Sequence, residues 1–208
     1  MNKLVLLRHG QSQWNLENRF TGLEDVPLTE EGIKEAKNAG FLIKKNNIKF
    51  DKVFSSNLKR ANKTAEITLK HAKLDYLFIN NELIFERSSN LNERDYGDLV
   101  GLNKKETAEK FGEDQVHKWR RGYSDQPPNG ESLEDVVTRV TKYFEETIKP
   151  AIQSDGNDNI LIAAHGNSLR ALLIVMNIYQ PNNINTVELS TGVPIHVILN
   201  DNKFSIKD

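Results

Sequence analysis

Apolar and polar positions along the chain follow two different periods. Residues 4–7 (LVLL) and 160–164 (ILIAA) are short continuous apolar runs, the pattern of strands buried on both faces of a parallel sheet. The first stops at Arg8, His9 and Gly10, and the second at His165, Gly166 and Asn167. Val53 and Phe54 predict a third short strand, ending at Ser55 and Ser56. Ile33, Ala36, Ala39, Leu42 and Ile43 instead recur at helical spacing behind Thr29, an N-cap residue, with Glu30 and Glu31 in the first turn. They predict an amphipathic helix over 29–46 and, with the strands either side, a right-handed βαβ unit.

Leu58, Ala61, Ala65, Ile67 and Leu69 predict a second helix from position 57, with Arg60 in its first turn. A strand is expected near 77–83, then a stretch at 91–97 too charged and irregular for a core, and a short helix over 103–111. Pro127, Pro128 and Gly130 mark a loop. Ser132 and Asp135 form a capping box before Leu133, Val136, Val137, Val140 and Phe144, predicting a helix to about Pro150. A turn at 155–159, a helix over 168–178 capped by Asn167, and edge strands at 187–189 and 195–199 complete the reading. Alternating strands and helices indicate an α/β protein, and 208 residues suit one such domain.

Composition narrows the function. A net charge of −1 provides no general field for nucleic acid or acidic membrane, so any anion recognition must be local. The absence of cysteine excludes disulfides, thiolate metal sites and cysteine nucleophiles. The apolar run at the start is too brief for a secretory signal, and that at 171–178 is too short for a membrane span. A soluble, cytoplasmic protein is expected.

Ligands of open α/β sheets bind beyond the carboxyl ends of the strands. Two apolar strands each delivering His-Gly to one such edge therefore suggest a site. Arg8 offers a rigid five-donor fork for phosphate or carboxylate, and Gly10 allows a close backbone approach. His9, His165 and Glu93 could also form a His₂Glu zinc set, but a dication beside Arg8, Arg60, Arg94, Lys104, Arg120 and Arg121 meets repulsion where a phosphate meets charge-assisted bonds. Neutral His9 can then accept a phosphoryl group, His165 can stabilise the transferring oxygens, and Glu93 can exchange a proton with an alcohol. Ser12, Asn15, Thr21, Tyr96 and Asn167 are neutral candidates for the same pocket. A phosphotransferase acting as a mutase, a broad phosphomonoesterase and a non-enzymatic phosphate-ligand binder all remain open on these residues.

The motifs resemble the histidine phosphatase superfamily, and closely its cofactor-dependent phosphoglycerate mutase branch. The shared stretches are Arg8-His9-Gly10, the whole of 6–15, 18–22, 58–61, 91–94, 101–104, 119–122 and 163–170. The resemblance implies a three-layer α/β/α fold with a mostly parallel central sheet and a lid-like segment around 93–131. It implies His9 as phosphohistidine, Glu93 as proton donor and acceptor, and His165 as transition-state stabiliser, with Arg8 and Arg60 at the reacting phosphoryl. Substrate phosphate and carboxylate would be bound by Arg8, His9, Gly10, Gln11, Ser12, Gln13, Trp14, Asn15, Thr21, Gly22, Arg60, Glu93, Arg94, Asp95, Tyr96, Lys104, Arg120, Arg121, Gly166 and Asn167. The implied reaction interconverts 3-phosphoglycerate and 2-phosphoglycerate, primed by 2,3-bisphosphoglycerate, without a metal and in a chain that could form a homodimer. Asp95 stands where the branch carries histidine, and is expected to place an acidic group in the basic rim. The loop at 123–131 and the carboxyl-terminal end are shorter than in longer members.

Overall fold

A computed structural model describes residues 2–153 and 159–207. The expected turn at 155–159 therefore lies largely outside the described residues. The strands are β1 (Asn2–Arg8), β2 (Lys52–Ser55), β3 (Phe78–Ile79), β4 (Glu82–Leu83), β5 (Glu86–Arg87), β6 (Ile160–Ala164), β7 (Pro194–Asn200) and β8 (Lys203–Ile206). The helices are α1 (Gln13–Leu16), α2 (Glu30–Lys45), α3 (Lys59–His71), α4 (Lys104–Phe111), α5 (Glu113–Arg121), α6 (Leu133–Tyr143), α7 (Lys149–Gln153) and α8 (Gly166–Val175).

Six strands form one sheet in the order β5-β2-β6-β1-β7-β8. The first four run parallel, while β7 and β8 are antiparallel additions beside β1. Alternation along β1 sends Leu4 and Leu6 into a core with α6, α7 and α8, and Val5 and Leu7 into a second core with α2 and α3. The result is the predicted three-layer α/β arrangement. Every residue of β6 is buried, so it reads as a continuous apolar run rather than an alternating one. Truncating Ile162 to Ala at its centre would cost about 2–5 kcal/mol.

Helix α2 begins at the expected cap, with Thr29 Oγ1 accepting from Gly32 N at 3.1 Å. The Ser132 and Asp135 box opens α6 as read, and a single π turn (Phe144–Ile148) carries that helix on into α7. Other expectations are corrected. The supposed strand at 77–83 is a hairpin, because Asn80 and Asn81 take φ of 51° and 66°, as a two-residue turn with both centres left-handed requires. Positions 187–189 form no strand; the carbonyls of Val187 and Leu189 accept instead from Arg170 and Arg8. The segment at 195–199 lies within β7, inside the sheet, and β8 forms the edge. β2 pairs with β6 rather than β1, so β6 inserts into the expected βαβ unit. Two helices were not expected: α1, between β1 and α2, and α5, which packs Val116 on Phe20 and Leu99 in a small third core.

Candidate active site

Strand register builds the site. Arg8 at the end of β1 lies opposite Ala164 at the end of β6, and His9 N donates to Ala164 O at 3.0 Å. Parallel neighbours ending together bring the next residues side by side, so the His9 and His165 rings sit 5.0 Å apart between centroids. Both rings are buried.

The partners of His9 define its protonation. Its Nδ1 lies 2.7 Å from Gly10 O. A carbonyl only accepts, so Nδ1 carries the hydrogen and Nε2 keeps the lone pair. Burial, then the neighbouring His165, Arg60 and Arg8, hold the imidazole pKa well below its ordinary value. The same causes, burial first and then Arg60 and Arg8, lower that of His165. The pair is thus two neutral imidazoles at neutral pH, one presenting a nucleophilic nitrogen.

Glu93 comes from the segment expected to be too charged for core, yet Leu91, Glu93 and Arg94 are all buried. Specific partners make that burial tolerable. Glu93 Oε1 accepts from Arg94 N at 2.8 Å, Asn167 N at 3.1 Å and Asn167 Nδ2 at 3.0 Å. Burial raises its pKa, but the Arg94 amide, Arg60, Asn167 and Arg8 outweigh it and hold the carboxyl below its ordinary value. Arg94 donates to Arg120 O and Tyr96 Oη and lies 4.8 Å over the Tyr96 ring. Arg139 fastens this loop from α6, donating to the carbonyls of Asn90, Asn92 and Glu93 and pairing with Glu131 at 2.9 Å.

Arg60 on α3 is fully buried, donating to Gly22 O at 2.9 Å and Glu24 O at 2.6 Å; burial above all lowers its pKa to about 10. Buried guanidinium nitrogens of Arg8, Arg60, Arg94 and Arg170 have no partner among the described residues. Unpaired buried cationic donors are costly, and an anion would satisfy them.

A cavity of about 110 Å³ brings together Arg8, Asn15, Thr21, Gly22, Glu93, Tyr96, Lys104, Arg120, Arg121, Gly166 and Asn167 from the sequence list. It adds Arg19 and Arg170, which sequence reasoning missed. Arg170 did leave a signal, being the sole charge of α8 among apolar neighbours. The histidines are not in this lining. Gly166, the residue after His165, is in the lining, where a Cβ would lie 3.7 Å from Glu93 Oε2 and 3.8 Å from Arg8 Nε. A groove of about 640 Å³ beside Arg60 is larger but includes neither histidine nor Glu93, so size does not mark the chemistry.

Other expected contacts are placed elsewhere. The close approach that Gly10 permits is to Gly32 of α2, whose carbonyl a Cβ would overlap. Ser12 caps α1, Gln11 bonds Thr29 and Glu35, Gln13 bonds Glu17, and Trp14 lies against Gly101. Asp95 does not enter the basic rim: its carboxylate accepts from Gly97 N at 2.8 Å and closes a turn. Asn167, expected as the cap of α8, is inside it, with His165 at the cap position. Among the described residues no helix is long and apolar enough to cross a membrane, and no group of three or more His, Cys, Asp or Glu is arranged to hold a metal ion.

Residues 4–208 match the model of the histidine phosphatase superfamily (branch 1). Relatives named 2,3-bisphosphoglycerate-dependent phosphoglycerate mutase include one from Beijerinckia indica, 50% identical over 92% of this chain and 89% of its own. Another, from Mesorhizobium japonicum, is 48% identical over 95% of this chain and 92% of its own. Similar solved structures include a mycobacterial glucosyl-3-phosphoglycerate phosphatase with VO₃, 24% identical with a TM-score of 0.82, covering 100% of this chain and 98% of that one. The alpha-ribazole phosphatase from Shigella flexneri is 26% identical with a TM-score of 0.77, covering 99% and 94%. A paired-histidine centre ringed by arginines and a match along nearly the whole chain agree: the protein belongs to the histidine phosphatase superfamily as a branch 1 enzyme.

Proposed function

We propose that this enzyme interconverts 3-phosphoglycerate and 2-phosphoglycerate through a phosphohistidine at His9. The observation that carries the reading is the second set of cations, Lys104, Arg120 and Arg121, lining the same cavity as Arg8 and Glu93. A phosphatase needs one phosphate pocket, whereas a mutase must also hold the distal acidic group through two transfers. The names of the 48–50% identical relatives support the same choice.

In this reading His9 Nε2 attacks phosphorus in line, its P–N bond forming as the P–O bond to the substrate alcohol breaks. Arg8, Arg60 and His165 stabilise the equatorial oxygens, and Glu93 gives the leaving oxygen its proton. The reverse transfer returns that proton to Glu93 when the 2-hydroxyl attacks. An arriving dianion raises the Glu93 pKa toward its protonated form. The unpaired buried donors of Arg8, Arg94 and Arg170 fit a doubly phosphorylated acid, and 2,3-bisphosphoglycerate, when bound, would supply the priming phosphoryl. In this reading no step is assigned to a metal. Segment 93–131, which contributes Glu93, Tyr96, Lys104, Arg120 and Arg121, acts as a lid on a one-domain, cytoplasmic enzyme.

An enolase-coupled assay of the purified protein tests this. Isomerisation that depends on 2,3-bisphosphoglycerate and is indifferent to chelator is expected. Release of inorganic phosphate faster than isomerisation would establish a phosphomonoesterase instead, and absence of acid-labile phosphate on His9 would leave only a binding protein.

A further inference from the structure

Ser56 stands immediately beyond β2, and the β2–β6 register, with Ser55 opposite Ala163, carries it toward the end of β6. There its Oγ lies 2.8 Å from His165 Nε2, and both residues are fully buried. The same Oγ accepts from Leu58 N at 3.1 Å, at the start of α3. Nothing in the mechanism above uses this serine.

The contact is selective between the two neutral forms of His165. If Nε2 is bare, Ser56 donates its hydroxyl hydrogen to Nε2 and accepts from Leu58, satisfying each group. If Nε2 carries the hydrogen, Oγ must accept twice and the hydroxyl hydrogen has no acceptor among the described hydrogen bonds, a buried donor left unmade. The third state, imidazolium, is opposed by burial and by Arg60, Arg8 and Arg139. His165 Nδ1, on the other side of the ring, is buried without a partner among the described residues, and His9 is the neighbouring ring.

We propose that Ser56 is a positioning residue that holds His165 in the neutral Nδ1–H tautomer, so that Nδ1–H is the donor offered to a phosphoryl oxygen on its way to His9. The two histidines are thereby set in complementary ways. In both rings Nδ1 carries the hydrogen: a backbone carbonyl leaves His9 Nε2 free to attack, and a serine hydroxyl leaves His165 Nδ1–H free to donate. This rests on the phosphohistidine reading for its role, but not for the tautomer itself.

The tautomer is read directly in the resting enzyme by long-range ¹H–¹⁵N correlation of the imidazoles. His165 is assigned by the signal set lost in His165→Gln. Expected is an Nδ1-protonated pattern for His165; an Nε2-protonated or imidazolium pattern overturns the proposal, whether or not the enzyme proves to be a mutase. Phosphoenzyme formation from 2,3-bisphosphoglycerate, followed by rapid quench, supplies the second readout. Ser56→Ala should slow it by about tenfold and mix the His165 tautomers, while Ser56→Thr, which keeps the hydroxyl, should restore both. Equal rates and an unchanged tautomer in Ser56→Ala would also overturn it. If wild type forms no phosphohistidine but shows the expected tautomer, the proposed reaction fails and the Ser56 assignment stands.

Discussion

Asn167 holds one oxygen of Glu93 from two directions, its backbone N at 3.1 Å and its side-chain Nδ2 at 3.0 Å. The first turn of α8 thus positions a carboxylate supplied by a separate loop, and the positive end of the helix favours its ionised form. Asn167→Ala removes the side-chain donor and leaves the backbone one. The Glu93 pKa should rise, moving the acid limb of the pH–rate profile to higher pH. An unmoved limb would show that Glu93 is not the group titrating there.

Glu93→Gln keeps the side-chain volume and removes the proton carrier. Phosphoryl transfer should slow by about 10²- to 10⁴-fold, while 2,3-bisphosphoglycerate binding, measured by calorimetry, should hold or tighten because a negative charge has left a cationic pocket. Wild-type turnover in this variant would remove Glu93 from the proton relay.

Acid should destabilise the fold in a defined window. His9 and His165 are held neutral well below their ordinary value of 6.5, so the unfolded chain takes up their protons first as pH falls past that point. Glu93 adds the same sign lower down: its depressed pKa contributes stability above its ordinary value of 4.5 that is lost as pH falls through the folded value. Calorimetry between about pH 7 and pH 4 should show Tm falling, and His9→Gln should make the upper part of the decline shallower. A Tm independent of pH over this range would contradict buried neutral histidines.

Gly10→Ala tests the packing that fixes the loop after β1. The added carbon would overlap the Gly32 carbonyl in α2, and backbone cannot yield as a side-chain tip can. A loss of about 1–3 kcal/mol is expected, lowering Tm by roughly 2–12 °C. Unchanged Tm would mean that α2 lies farther from this loop.

The sequence by itself determined the elements whose hydrophobic period is strong and whose caps are local: β1, β2, β6, α2, α3 and α6. It also determined that two His-Gly pairs end apolar strands, and parallel register did the rest. Tertiary structure alone decided matters that depend on distant partners. Asn80 and Asn81 fold one apparent strand into a hairpin, and the carbonyls at 187 and 189 serve arginines instead of a ladder. Glu93 and Arg94 were legible as site candidates, but their segment reads as too charged for a core, because burial of a charge is set by groups remote in sequence, here Arg120 and Asn167. Arg139 and Ser56 were illegible for the same reason, and Arg170 showed only as a charge among apolar neighbours: local pattern reports which face of an element is apolar, and only the assembled fold shows which polar atom meets another across it.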